Sequence, residues 1–248
     1  MERLFAVAAG SLPCLMFAGF AVLAGVLIAV GIWRARKRRE AMTALARRLG
    51  LAFYPSDPWN LPVWYGRLEL FGRGRSRRAE NVMSGEIDGR TVVAFDYRYT
   101  TGSGKNKHTH YFQVVVWLLP IQAPGLRLRP ENLLDRVASW VGWDDIDFES
   151  DEFSRRYHVA CEDRRFAYDI FHARLIDYLL RCGSVPSMEM NGVFLALYEP
   201  GLGGPERVER LLAIGRTVID MIPGYVLRAR GVEAAAGGSV PGRGGGAS

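Results

Sequence analysis

The hydrophobic and polar positions divide the chain into a long apolar start and a mixed remainder. From Leu4 to Trp33 no side chain is charged. Five basic residues then follow within six positions: Arg34, Arg36, Lys37, Arg38 and Arg39. A helix rises ~1.5 Å per residue and bilayer hydrocarbon is about 30 Å thick, so roughly twenty apolar residues can cross it. Residues 12–33 are therefore predicted to form a single transmembrane helix.

Two other interpretations fit the apolar start less well. A cleavable signal peptide has a basic start and an apolar run of only ~7–15 residues, whereas this chain begins with Glu2-Arg3 and its apolar run is longer. A soluble core helix needs a polar face, and residues 15–23 offer none. Because basic residues are retained on the cytoplasmic side of a span, the predicted localisation is the inner or plasma membrane. The N-terminus is expected outside and the following domain in the cytoplasm.

Beyond the span, the periodicity predicts an α+β domain with an antiparallel sheet and three packed helices. Residues 34–50 form a basic juxtamembrane helix that ends at Gly50. Asp88-Gly89 and Asn191-Gly192 are typical of two-residue hairpin turns. The apolar segment 111–119 is expected to be a central strand that ends at Pro120. The three helices are predicted at 130–142, 163–183 and 205–222.

These elements predict a chain of four parts. They are an N-terminal segment with the span (1–33), the juxtamembrane helix (34–50), a cytoplasmic α+β domain (51–228) and a Gly/Ala-rich tail (229–248). The tail has too little apolar side chain to offset the entropy of ordering, so it is predicted to be disordered. The three cysteines follow no pairing or CxxC pattern, which agrees with a reducing compartment.

Net charge at first suggests a nucleic-acid-binding protein, because the chain carries +6 at neutral pH. Five of its positive charges lie at 34–39, and the residues after Glu40 are nearly balanced, so no nucleic-acid partner is predicted. A second basic cluster follows the Pro- and Trp-rich segment: Arg73, Arg75, Arg77 and Arg78. With 34–39 it could contact anionic lipid head groups, or it could be a solvated loop.

Three segments suggest chemistry without completing a motif. Residues 100–107 lack the first glycine and the final Ser or Thr of a phosphate-binding loop. His108 and His110 have metal-ligand spacing, with His158 as a distant third candidate, but two ligands do not make a site. The acidic segment 144–152 lacks the glycine and glutamate of a calcium loop and favours a short strand with a solvated acidic face. No catalytic residue, metal site or cofactor is therefore assigned.

Parts of the chain resemble a known group of proteins. The residues that carry the resemblance are Phe95–Thr100, Ser103–Lys107 and Phe112, followed by Asp147–Phe153, Arg165–Tyr168 and Leu175. They resemble a group of uncharacterised bacterial membrane-anchored proteins known only as domains of unknown function. The likeness covers about residues 80–200. That group is described by its fold and membrane segments, so the resemblance implies no catalytic residues.

The function predicted from these observations is non-catalytic binding or scaffolding at the membrane surface. The expected partners are the lipid bilayer, anionic lipid head groups and an unidentified protein. The alternative is a membrane-anchored, metal-dependent hydrolase that uses His108, His110 and the carboxylates of 144–152.

Overall fold

The structure, a computed structural model, describes the backbone of residues 2–131 and 146–232 and the side chains from Phe20 onward. The chain forms two units, one up to Ala41 and one from Met42. Helix α1 (Glu2–Arg48) supplies the first unit and the start of the second. Within the first unit, the Lys37 ammonium lies 5.2 Å from the centre of the Trp33 ring. Side chains Phe20, Leu27 and Ile28 are exposed there.

The predicted single-pass membrane helix is wrong. Within the part of the chain that the structure describes, no helix is long and apolar enough to cross a membrane. The basic residues 34–39 continue the same helix α1. The side chains of residues 12–19 lie outside the described part. The predicted localisation, a single-pass inner-membrane protein with a cytoplasmic domain, was inferred from this span and is wrong for the same reason.

The second unit contains six strands and the remaining helices that the structure describes. The strands are β1 (Ala52–Ser56), β2 (Arg75–Ile87), β3 (Arg90–Thr101), β4 (His108–Pro130), β5 (Tyr157–Cys161) and β6 (Ser187–Pro200). The helices are α2 (Leu61–Trp64), α3 (Glu69–Gly72), α4 (Asp151–Arg156), α5 (Arg164–Ile170), α6 (Ala173–Arg181), α7 (Pro205–Asp220) and α8 (Gly224–Arg230).

All strand pairs in the sheet are antiparallel. The order is β1-β2-β3-β4, and β6 pairs with the opposite edge of β4. Strand β4 is long enough to pair with β3 over 108–117 and with β5 over 126–130. It is therefore the centre of the sheet, as its apolar sequence predicts.

The two faces of the sheet bury different layers. Val92, Ala94 and Trp117 belong to a large apolar core with the helices α4 to α8 and the end of α1. The alternate positions, including Phe95 and Tyr97, pack against α2, α3 and the segment that joins them. This second layer is rich in aromatic rings, and it faces the candidate site described below.

The two tight-turn signals have different outcomes. Asp88-Gly89 is confirmed as the turn between β2 and β3, with Ile87 paired to Arg90 and positive φ angles at both turn residues. Asn191-Gly192 is not a hairpin turn, because β6 runs through it without a break. Gly192 has φ +61° and pairs with Ala123 where the register with β4 is irregular. The extra residues lie on β4, between Leu118 and Leu126, so the dipeptide lies within a strand opposite a bulged part of β4. The predicted end of β4 at Pro120 is also wrong.

The predicted helices are partly revised. The 163–183 helix divides into α5 and α6 at Phe171-His172, and Asp163 accepts a hydrogen bond from the Phe166 amide as the predicted N-cap. Pro205 begins α7 as predicted. The helix expected at 130–142 lies almost wholly outside the described residues.

Two further predictions concern the acidic segment and the tail. Residues 146–150 of the acidic segment form no strand, and α4 begins at Asp151 with Ser150 as its N-cap. Residues 144 and 145 lie outside the described part. Gly231 pairs with Ile121, and the Val232 amide bonds to the Pro120 carbonyl. The rest of the tail lies outside the described residues.

Candidate functional site

A pocket of about 260 Å³ opens on the aromatic face of the sheet. We call it the tyrosine–arginine pocket. It is lined by Arg73, Tyr99, His110, Tyr111, Phe112, Arg129, Ser187, Tyr198, Pro200 and Gly201. This volume is slightly below the ~300 Å³ at which ordinary ligand sites begin.

Strand register brings the lining residues together from distant parts of the chain. Tyr99 of β3 pairs with His110 of β4, and Phe112 of β4 pairs with Pro200 of β6. Arg73 follows directly after α3, which covers this face of the sheet. Three neighbouring strands and one covering helix therefore supply the walls.

Aromatic rings form one wall of the pocket. The Tyr99 ring stacks on the His110 ring at 4.9 Å and on the Phe112 ring at 5.7 Å, measured between centroids. Tyr198 meets Phe112 edge to face at 6.0 Å. Such pairs add about 0.5–1.5 kcal/mol each beyond area burial. The wall is therefore a preformed apolar surface, with the Tyr111 ring half exposed at its rim.

A charged network lies against the opposite wall, and Glu69 is its centre. Oε1 of Glu69 accepts hydrogen bonds from Nε and Nη2 of Arg73. Oε2 lies 2.8 Å from Nη1 of Arg127 and 2.9 Å from Nη2 of Arg129. Burial raises the pKa of Glu69, but Arg129, Arg73 and Arg127 outweigh it and hold that pKa below its ordinary value. The carboxylate therefore stays ionised and fixes three guanidinium groups.

The network continues to Glu189 and Tyr198. Arg129, whose side chain is only 3% exposed, places Nη2 3.8 Å from Oε1 of Glu189. The Tyr198 hydroxyl donates to the same oxygen at 2.5 Å. Burial, together with the charge of Glu189, raises the pKa of Tyr198 well above its ordinary value. Tyr198 therefore remains a neutral donor that bonds Glu189 rather than an acid that could release a proton.

The structure separates the predicted lipid-surface arginines. Arg73 turns into the network, with its side chain only 14% exposed. Arg75, Arg77 and Arg78 are exposed, and we call them the exposed arginine trio. The guanidinium of Arg77 donates to backbone carbonyls, including that of Gly72 at 2.7 Å. The other predicted residues lie on α1 in the first unit, where all are exposed except the half-buried Arg38: Arg34, Arg36, Lys37, Arg38 and Arg39.

The predicted histidines do not form one site. His108 is exposed at the start of β4, whereas His110 lines the pocket and bonds Thr101 Oγ1 through Nε2 at 2.8 Å. His158 lies on β5, with Nε2 3.8 Å from Oε2 of Glu131. Among the residues that the structure describes, no group of three or more His, Cys, Asp or Glu is placed to hold a metal ion. In the segment 100–107, Thr100 and Thr101 belong to β3, and the remaining residues connect β3 to β4 through a short 3-10 helix, Gly104–Asn106.

Sequence reasoning missed the centre of the site, namely Glu69, Arg129, Glu189 and Tyr198. One signal was present in β4. Leu126 and Leu128 alternate with Arg127 and Arg129, so two arginines point to one face of a strand inside the domain. Charges buried in this way need partners, and the pattern predicts carboxylates opposite them without saying which ones.

Comparisons with known proteins identify a shared fold. No family model matches the chain, and no curated protein matches it. The crystal structure of the mycobacterial trehalose monomycolate transport factor A, TtfA, superposes with a TM-score of 0.59. The match covers 80% of this chain and 99% of the TtfA chain, at 14% sequence identity. At that identity the likeness concerns the fold alone.

Proposed function

We propose that this chain is a non-catalytic binding module associated with transport, and that the tyrosine–arginine pocket holds the molecule it binds. The observation that carries the proposal is the pocket itself, which joins a stacked aromatic wall to fixed polar groups. Concave sites with a mostly apolar lining and a few placed polar groups are typical of small-molecule binding. The fold shared with TtfA, which is named as a transport factor, supports the association with transport.

The same residues favour binding over catalysis. The polar groups beside the pocket engage one another: Tyr198 bonds Glu189, and Glu69 bonds three arginines. General acid–base catalysis needs a group whose pKa lies near the working pH, and Tyr198 is shifted away from it. The hydrolase alternative gains no support, because His110 and His158 lie on separate strands with separate polar neighbours.

Two measurements on the full-length chain test this proposal with 1-octanol, a neutral amphiphile. Calorimetric titration measures its binding, and thermal unfolding measures the shift in melting temperature that it causes. We expect one molecule to bind per chain. Tyr111→Ala removes an exposed ring from the rim, so it should weaken binding severalfold without loss of folding. Ser187→Phe fills the pocket and should abolish binding.

Tyr225→Ala is the matched control for Tyr111→Ala. The Tyr225 ring is also about half exposed, but it lies on α8 and does not line the pocket. This variant should bind as the native chain does. If octanol and its anionic C8 analogues all failed to bind, or if filling the pocket changed nothing, the pocket would not be the binding site.

A further inference from the structure

We infer that the tyrosine–arginine pocket selects a ligand with an anionic head group, a carboxylate or a phosphate, attached to an apolar body. Arg73 and Arg129 would hold the head group, while Tyr99 and Phe112 would contact the body. The inference rests on the proposed function, because it names the class of molecule that the same pocket binds.

The charged groups beside the pocket are the first step of the argument. The network contains the guanidinium groups of Arg73, Arg127 and Arg129, and the carboxylates of Glu69 and Glu189. These charges lie in a partly desolvated site, where electrostatic interactions are stronger than in water. A negatively charged group that entered the pocket would be attracted by the two guanidinium groups that line it, those of Arg73 and Arg129.

The second step is which of these groups reach the pocket. Arg73 and Arg129 line it, and neither glutamate does. A bound molecule would therefore meet guanidinium groups before it met a carboxylate. A cationic head group would face two like charges, which is unfavourable. The lining thus selects against cations as well as for anions.

The third step is the geometry of Arg73. Its Nε and Nη2 atoms bond Glu69, whereas Nη1 donates to none of the residues that the structure describes. Because Glu69 already fixes the guanidinium plane, little side-chain entropy is lost when Nη1 bonds a ligand. Planar guanidinium groups also match the geometry of carboxylate and phosphate oxygens.

The apolar part of the ligand follows from the opposite wall. Tyr99 and Phe112 stack almost in parallel, with 10° between their ring planes. Together with Pro200 they present a flat apolar surface beside the two arginines. The limited volume suits a head group and a few carbon atoms, while a longer chain would extend past the half-exposed Tyr111 ring at the rim.

The test compares three C8 probes by calorimetry on the full-length chain: octanoate, octyl phosphate and 1-octanol. We expect at least one of the two anions to bind about tenfold or more tightly than octanol, because charge-assisted hydrogen bonds are roughly twice as strong as neutral ones. The two anions distinguish a carboxylate from a phosphate head group. Equal affinities for all three probes would overturn the inference and leave the proposed function intact, whereas no binding of any probe would overturn both.

Arg73→Gln supplies a readout that a purely structural role would not give. It should lower the affinity for the preferred anion about tenfold and the affinity for octanol by a much smaller factor. Arg98→Gln is the matched control, because Arg98 makes an exposed ion pair with Glu80 and does not line the pocket. If Arg73→Gln weakened octanol and the anion equally, or neither of them, the head group would not contact Arg73.

Discussion

Glu69→Gln is the substitution that most directly tests the charged network. The variant keeps the shape of the side chain and one carbonyl acceptor, but it removes the negative charge that contacts Arg73, Arg127 and Arg129. Breaking a buried ion pair by removing one partner costs ~3–5 kcal/mol, since the other charge is left uncompensated. The Glu69 side chain is 21% exposed, so water reaches part of the network and reduces this loss. We therefore expect the free energy of unfolding to fall by about 2–3 kcal/mol.

Urea unfolding at pH 7 measures this loss, and thermal unfolding should show a melting temperature about 5–10 °C lower. Glu152→Gln is the control. It removes the carboxylate of an i,i+4 pair with Arg156 in which both side chains are about half exposed, and such pairs contribute about 0.3–0.5 kcal/mol. A loss for Glu69→Gln no larger than that of the control would refute the reasoning, because Glu69 would then not organise the arginines.

The pH dependence gives a second check on the same residue. The three arginines hold the pKa of Glu69 below its ordinary value in the folded protein. A depressed carboxyl pKa stabilises the fold above the unfolded pKa, about 4.3, and this contribution is lost as the pH falls through the folded pKa. The stability difference between the native chain and Glu69→Gln should therefore be complete at pH 7 and shrink below about pH 4. A difference of the same size at pH 3 would contradict this assignment.

Three further predictions concern other parts of the domain. Gly215→Ala would place a methyl group 2.5 Å from Nε1 of the buried Trp117. We expect the urea midpoint to fall and the free energy of unfolding to decrease by about 1 kcal/mol, because the cost of overpacking (~1–3 kcal/mol) exceeds the gain in helix propensity. An unchanged or higher midpoint would show that the helix can move away. Burial raises the pKa of the Cys161 thiol to about 11. Iodoacetamide at pH 8 should therefore label this thiol at least tenfold more slowly in the folded than in the urea-unfolded chain, as measured by peptide mass spectrometry. Equal labelling rates would contradict the burial. Replacing the exposed arginine trio with glutamine should weaken low-salt adsorption of the full-length chain to anionic vesicles, and the basic residues 34–39 would supply the adsorption that remains. Adsorption equal to that of the native chain at every salt concentration would contradict a lipid contact by the trio.

Short sequence signals correctly predicted the elements whose geometry depends on residues that are adjacent in the chain. Asp88-Gly89 forms its turn because both residues accept the positive φ that a tight hairpin requires. Asn191-Gly192 carries an equally strong signal but stays within β6, because β6 pairs with β4 on both sides of the dipeptide. Pairing along a long neighbouring strand therefore overrides the local turn preference. The same length explains how β4 passes through Pro120.

The membrane prediction failed for a different reason. It depended on counting apolar residues from Leu12 to Trp33 in the sequence. Among the residues that the structure describes, no helix is long and apolar enough to cross a membrane.

The candidate site could not be assembled from sequence because its parts meet only through the sheet. Glu69 lies 60 residues from Arg129, and no short motif connects them. Each residue alone has an ordinary interpretation, since single charges on strands and short helices usually face water. Two features of the fold bring three arginines and two glutamates beside an aromatic wall. One is the register of β4 with β6, which pairs Arg127 with Glu189. The other is the placement of α3 over the same face. The arginines that looked like one surface cluster in sequence thus divide by environment, so Arg73 and the exposed arginine trio are expected to respond to different ligands.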